Sequence, residues 1–108
     1  MTPLSQMHCA AGGQAVALSD ADIEAHLGSL TDWKLIGHEI KKTFPFKNYH
    51  ETMAFVNASA WISHREDHHP DMSVHYNKCV VAYSTHDAGG ITLNDFICAA
   101  KLDALLGL

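Results

Sequence analysis

Residues 71–86 read DMSVHYNKCVVAYSTH. Met72, Val74 and Tyr76 alternate with Ser73, His75 and Asn77, and Cys79, Val81 and Tyr83 then alternate with Val80, Ala82 and Ser84. Alternation with period two marks a strand that is apolar on one face. Asn77-Lys78 falls where the chain must reverse, and Asn tolerates a positive φ, so this pair is the expected turn centre. The stretch is therefore a β-hairpin, and a hairpin makes its strands antiparallel.

Working upstream, NYHETMAFVNASAWISHRED opens with Asn48 as N-cap and Glu51 in the first turn. It places Met53, Val56 and Ala60 on one helical face and Phe55, Ala58 and Ile62 on another, which predicts the longest helix, stopped by Pro70. Two apolar faces fit one side against a sheet and another against a partner subunit; tolerated alanines at the surface fit equally well. Before it, DWKLIGHEIKKTFPF gives a first hairpin. Trp33 and Leu35 share one parity, Ile40, Lys42, Phe44 and Phe46 share another, and the reversal lies near Gly37. Pro45 cannot donate to a ladder, so the second strand is expected at an edge or to end there. SDADIEAHLGSL starts a short helix, with Ser19 as N-cap, Asp22 beside it and Gly28 at its end. Downstream, GGITLNDFICAAKLDALLGL forms a last helix with Thr92 as N-cap, Asp95 as its capping-box partner, and Phe96, Ala99 and Leu106 as a core stripe.

The order is α-β-β-α-β-β-α. Hairpins throughout give a two-layer α+β domain, a four-stranded antiparallel sheet with helices packed on one face. The 108 residues suffice for one core. Residues 1–17 read as an unstructured tail and 18–108 as the single domain. With 47% apolar and 18% charged residues the composition is globular. The first basic residue is Lys34, so a targeting peptide is not expected, and no apolar run approaches a membrane span of about 18 residues. Cys9, Cys79 and Cys98 are widely spaced and odd in number, as suits reduced thiols in a cytoplasmic protein. The net charge is −5 and only Lys41 and Lys42 are adjacent, a pattern opposed to direct nucleic-acid binding.

Histidine is the outlying residue type. Four of nine fall within SHREDHHPDMSVHYN, residues 63–77. If the long helix persists, His64 and His68 lie four apart on one face, with His69 turned away and His86 arriving from the end of the fourth strand. Three readings are open at this point. Imidazoles at that spacing could hold zinc, although HREDH lacks the offset of HExxH. Metal-free acid/base chemistry would suit groups that titrate near neutrality. A solvated polar helix end is the third. His8, His26, His38 and His50 look isolated and solvated.

Residues HHPDMSVHYN, then STHDAGGITLNDF, resemble the pterin-4a-carbinolamine dehydratases. The matching positions are His68, His69 and Pro70, then Tyr76 and Asn77, Thr85 and His86, and Asp95, in order; DW and FPFKNY extend the likeness from about Leu18 to Leu105. His64 stands where relatives often carry Glu, and the Trp that some place after His-His-Pro is missing. The resemblance implies a cytoplasmic hydro-lyase that needs no cofactor and no metal. Such an enzyme dehydrates 4a-hydroxytetrahydrobiopterin to the quinonoid dihydropterin and recycles the cofactor of aromatic amino acid hydroxylases, its metabolic partners. It further implies a homodimer or homotetramer. His68, His69 and His86 would be catalytic, and His69, Pro70, Thr85 and Asp87 would bind the pterin. A non-catalytic assembly module on the same fold is the competing expectation.

Overall fold

The computed structural model describes residues 2–11 and 13–107. The elements are α1 (Asp20–Gly28), β1 (Lys34–Ile36), β2 (Glu39–Pro45), α2 (Tyr49–Glu66), β3 (Asp71–Val74), β4 (Lys78–Tyr83) and α3 (Leu93–Leu105), with short 3-10 turns at Leu4–Gln6 and His86–Ala88. The four strands form one antiparallel sheet in the order β1-β2-β4-β3. The expected α+β architecture and element order are therefore present.

Local chemistry explains most boundaries. Ser19 Oγ accepts from the Asp22 amide at the start of α1, and Asn48 Oδ1 accepts from the Glu51 amide at the start of α2. Gly37, with φ of +62°, makes the reversal between β1 and β2. Pro45 ends β2, but that strand lies inside the sheet, paired on both sides. The second hairpin turns one residue earlier than expected. His75 N donates to Lys78 O at 2.9 Å, so Tyr76 and Asn77 are the central pair. Asn77 is not among the described non-glycine residues with positive φ, so its tolerance of that region is not what makes the turn.

The core lies between the sheet and its helices. Ile40 and Phe44 of β2 and Cys79, Val81 and Tyr83 of β4 meet Phe55 of α2, Ile23 of α1, and Phe96, Ala99 and Leu102 of α3. Phe55 joins Phe44 and Phe46 in one aromatic cluster, with ring centroids 4.7 and 5.0 Å away. Each such side chain, fully buried, contributes about 1.5–3 kcal/mol. Helix α3 is buried nearly all round, but Leu102 takes the core place expected for Leu106, which lies beyond the helix end and is exposed. The buried stripe of α2 is Thr52, Phe55, Ser59 and Glu66, more polar than its apolar residues suggested.

Residues 1–17 were expected to be unstructured. In the structure the segment around Leu4–Cys9 instead packs against the core, with Leu4 and Cys9 partly buried. The physical reason lies in partners that no local pattern shows. Cys9 N donates to Glu66 Oε1 at 2.7 Å, Ala10 N donates to Asn94 Oδ1 at 2.9 Å, and Lys101 Nζ donates to Ser5 O at 3.0 Å.

Candidate active site

Antiparallel register brings together two segments far apart in sequence. β3 begins with Asp71 opposite Ala82 near the end of β4. The residues just before Asp71 thus arrive beside those just after Tyr83. His68 and His69 come from one side, and Thr85, His86 and Asp87 from the other, to line a cleft of about 220 Å³ together with Asp67 and Asp71. The three histidines named from the sequence converge here, as do Thr85 and Asp87. Pro70, expected to touch substrate, is not among the lining residues. As the residue after His69, it biases the His69 backbone toward extended conformations.

The way α2 ends decides where His68 points. The helix was expected to carry His64 and His68 on one face, but it stops at Glu66. Asp67 takes the left-handed conformation (φ 51°, ψ 43°), and its amide and that of His68 donate back to His64 O and Ser63 O at 3.4 and 3.2 Å. This is a Schellman ending with Asp where glycine is usual. The reversal takes His68 off the helix and into the cleft, whereas His64 stays exposed on α2. The pair needed for a shared zinc ion is not formed, and among the described residues no three His, Cys, Asp or Glu side chains converge as metal ligands would.

His68 Nε2 and Asp95 Oδ1 are 2.6 Å apart, and the Asp95 side chain is fully buried. The contact fixes the orientation of the ring, with Nε2 turned to the carboxylate. The other oxygen of Asp95 accepts from Thr85 Oγ1 at 2.8 Å and from the Thr92 amide at 2.9 Å, and the two threonine hydroxyls lie 2.8 Å apart. The capping residue foreseen at the start of α3 thus also holds a histidine. The sequence pattern located this carboxylate as a helix cap; only the fold shows what it faces across the site.

Tyr83 forms a flat wall for the same imidazole, stacked at 5.9 Å between centroids and 13° between planes. Burial pushes its phenol far above the usual range, with the charges of Cys98, Cys9 and Asp95 acting the same way. Tyr83 therefore stays a neutral phenol and offers the imidazole a flat surface. Thr85 and Gly90 form an isolated bridge, and Gly89 with φ of +73° closes the 3-10 turn. This tight loop presents His86 and Asp87, both exposed, and His69 is exposed as well.

The other histidines lie elsewhere. His75 Nε2 bonds Ser73 Oγ at 2.8 Å outside the cleft. Two that looked isolated have partners: His26 packs on Phe96 with centroids 5.1 Å apart, and His8 Nδ1 bonds Glu66 Oε2 at 3.0 Å. Burial alone would raise the Glu66 carboxyl, but the Cys9 amide, the His8 ring and Lys101 outweigh it and hold Glu66 below its ordinary value.

With that geometry in view, the comparisons with known proteins are specific. The family described as pterin 4 alpha carbinolamine dehydratase matches residues 16–105. This chain belongs to that family. A protein of Chromobacterium violaceum named within it is 59% identical over 102 residues, covering 94% of each chain. A Nitrosospira multiformis relative is 58% identical over 93 residues, covering 86% of this chain and 82% of its own. Among solved structures, the transcriptional coactivator/pterin dehydratase of Brucella melitensis superposes with a TM-score of 0.81 at 28% identity, over 84% of this chain and 99% of that one. A pterin dehydratase-like protein identified as a RuBisCO assembly factor in the alpha-carboxysome gives 0.60 at 26% identity, over 70% and 90%.

Proposed function

We propose that this protein is a hydro-lyase that removes water from 4a-hydroxytetrahydrobiopterin and recycles the cofactor of aromatic amino acid hydroxylases. The observation that carries this reading is His68, held at 2.6 Å by a fully buried Asp95 on the wall of the cleft it shares with His69 and His86. The reaction breaks the C4a–O bond, removes the N5 proton and forms the C4a=N5 double bond. One group must protonate the departing hydroxyl and another must take the ring-nitrogen proton, with no change of oxidation state. His68 and His86, which both line the cleft, serve as this acid and base, and neither step calls for a cofactor or a metal. His69 and Asp87 hold the pterin. Pro70 biases the His69 backbone toward extended conformations, and Thr85, which lines the cleft, directs its hydroxyl to Asp95. The resemblance also carries a cytoplasmic homodimer or homotetramer.

The test is an ultraviolet assay of 4a-hydroxytetrahydropterin decay, with and without chelator. Each positioned acid or base contributes on the order of 10² to 10⁴ in rate. The double variant His68→Ala/His86→Ala is therefore expected to lose nearly all acceleration, and the wild type to be indifferent to chelator. Near-normal turnover in the double variant would overturn the assignment. The assembly-module reading draws on the likeness to the assembly factor and on Trp61, 77% exposed on α2. A folded wild type that does not accelerate the decay would favour it.

A further inference from the structure

The segment before α1 and the helix α3 bring two thiols into contact. Cys9 Sγ and Cys98 Sγ are 3.6 Å apart. Cys98 is buried, whereas Cys9 is partly exposed. Hydrogen bonds hold the approach on both sides of Cys9. Its own amide is bound to Glu66, the Ala10 amide to Asn94 Oδ1, and Asn94 Nδ2 returns a bond to Ala10 O at 3.2 Å. A disulfide requires sulfurs about 2.05 Å apart, so the pair must close by roughly 1.5 Å, a distance within reach of side-chain rotation and a small shift of the segment. Cys79 is buried in the sheet and has no thiol within hydrogen-bonding reach among the described residues.

We propose that Cys9 and Cys98 form a redox modification site, a dithiol that a peroxide converts into an intrachain disulfide, clamping the N-terminal segment to α3 beside the His68–Asp95 pair. The Cys9 sulfur, on the more exposed of the two residues, attacks one peroxide oxygen, giving Cys9 sulfenic acid and one water. The Cys98 sulfur then attacks the Cys9 sulfur, the S–O bond breaks, and the departing hydroxide takes the Cys98 proton as a second water. Two thiols lose two electrons and two protons, and one peroxide becomes two waters. The geometry also sets the order of events. The hydrogen bond with Cys9, followed by burial, pushes the Cys98 thiol up, so Cys98 is a poor first nucleophile. Closure would act on the candidate active site at short range: Cys98 Sγ lies 4.0 Å from the His68 carbonyl oxygen, and Cys9 Sγ 3.7 Å from that of Asn94, the residue next to Asp95.

The experiment treats the purified chain with equimolar hydrogen peroxide, denatures it, alkylates the remaining thiols and maps the peptides. The expected result is one alkylatable thiol, Cys79, and a peptide pair joined through Cys9 and Cys98 that dithiothreitol separates. Cys9→Ser removes the cross-link and leaves two alkylatable thiols, and Cys98→Ser prevents the cross-link independently should either variant fold poorly. Three alkylatable thiols after treatment, a sulfinic acid on Cys9 with Cys98 still alkylatable, or a cross-link only between two chains would each overturn the proposal. These readouts do not depend on the dehydratase reading and would stand even if the protein had no such activity.

Discussion

Helix α3 carries a buried carboxylate at each end, and the contrast between them separates a candidate active site from a structural one. Asp95, in the first turn, holds His68 at the wall of the cleft. Asp103, in the last turn, accepts from Lys42 Nζ at 2.9 Å and from Trp33 Nε1 at 3.0 Å inside the core. An anion at a helix C-terminus is electrostatically misplaced, and the Lys42 charge offsets that cost. Lys42 also lies over the Phe44 ring at 4.9 Å. Both carboxylates are buried and fully bonded, so neither burial nor satisfied hydrogen bonds mark function. What differs is the partner: a histidine that borders a cleft in one case, a lysine and an indole sealed from it in the other.

The sharpest way to break this comparison is Asp103→Ala. It strands Lys42, whose side chain is only 6% exposed, without its counter-ion. A loss of about 3–5 kcal/mol in unfolding free energy is expected by denaturant titration, with turnover per folded molecule unchanged. Asp95→Asn should act chiefly on turnover. The amide keeps one acceptor oxygen where the carboxylate has two, so a donor now faces either His68 or the Thr85 and Thr92 groups; turnover is expected to fall on the order of 10²-fold, with a stability loss of about 1–3 kcal/mol, smaller than that of Asp103→Ala. If Asp95→Asn unfolded the protein and Asp103→Ala abolished turnover, the two roles would have to be exchanged.

A smaller effect separates a third buried carboxylate from both. Glu66 is held below its ordinary pKa of 4.5 in the folded protein. Its stabilisation is present above that value and is lost as pH falls through the lower folded value, when the carboxyl takes a proton. Glu66→Gln is therefore expected to flatten the acid side of a melting-temperature profile while leaving the neutral side only modestly lower. The least effect is expected from His75→Ala, a histidine of the same cluster outside the cleft: stability within about 0.5 kcal/mol and unaltered turnover.

The elements and their order were legible because hairpins, caps and Pro45 are local signals, each written within a few residues. The three histidines of the cleft were legible through the family resemblance, and their convergence follows from the register of β3 against β4. Three things were not legible. The early stop of α2 depends on Asp67 adopting a conformation that side chains seldom choose. The partner of His68 is a capping residue whose second role exists only once α3 packs against the sheet. The docking of the first residues rests on Glu66, Asn94 and Lys101, whose bonds to Cys9, Ala10 and Ser5 span most of the chain.

The parallel stacking of His68 on Tyr83 has a spectroscopic consequence. Protons on the carbon atoms of that imidazole lie within the ring current of the phenol, whose centroid is 5.9 Å away. They should resonate away from the positions of a solvated histidine in a nuclear magnetic resonance spectrum. The protein thus carries an internal reporter: any substitution or ligand that lifts His68 from its place would move those signals back toward the positions of a solvated histidine, before any turnover is measured.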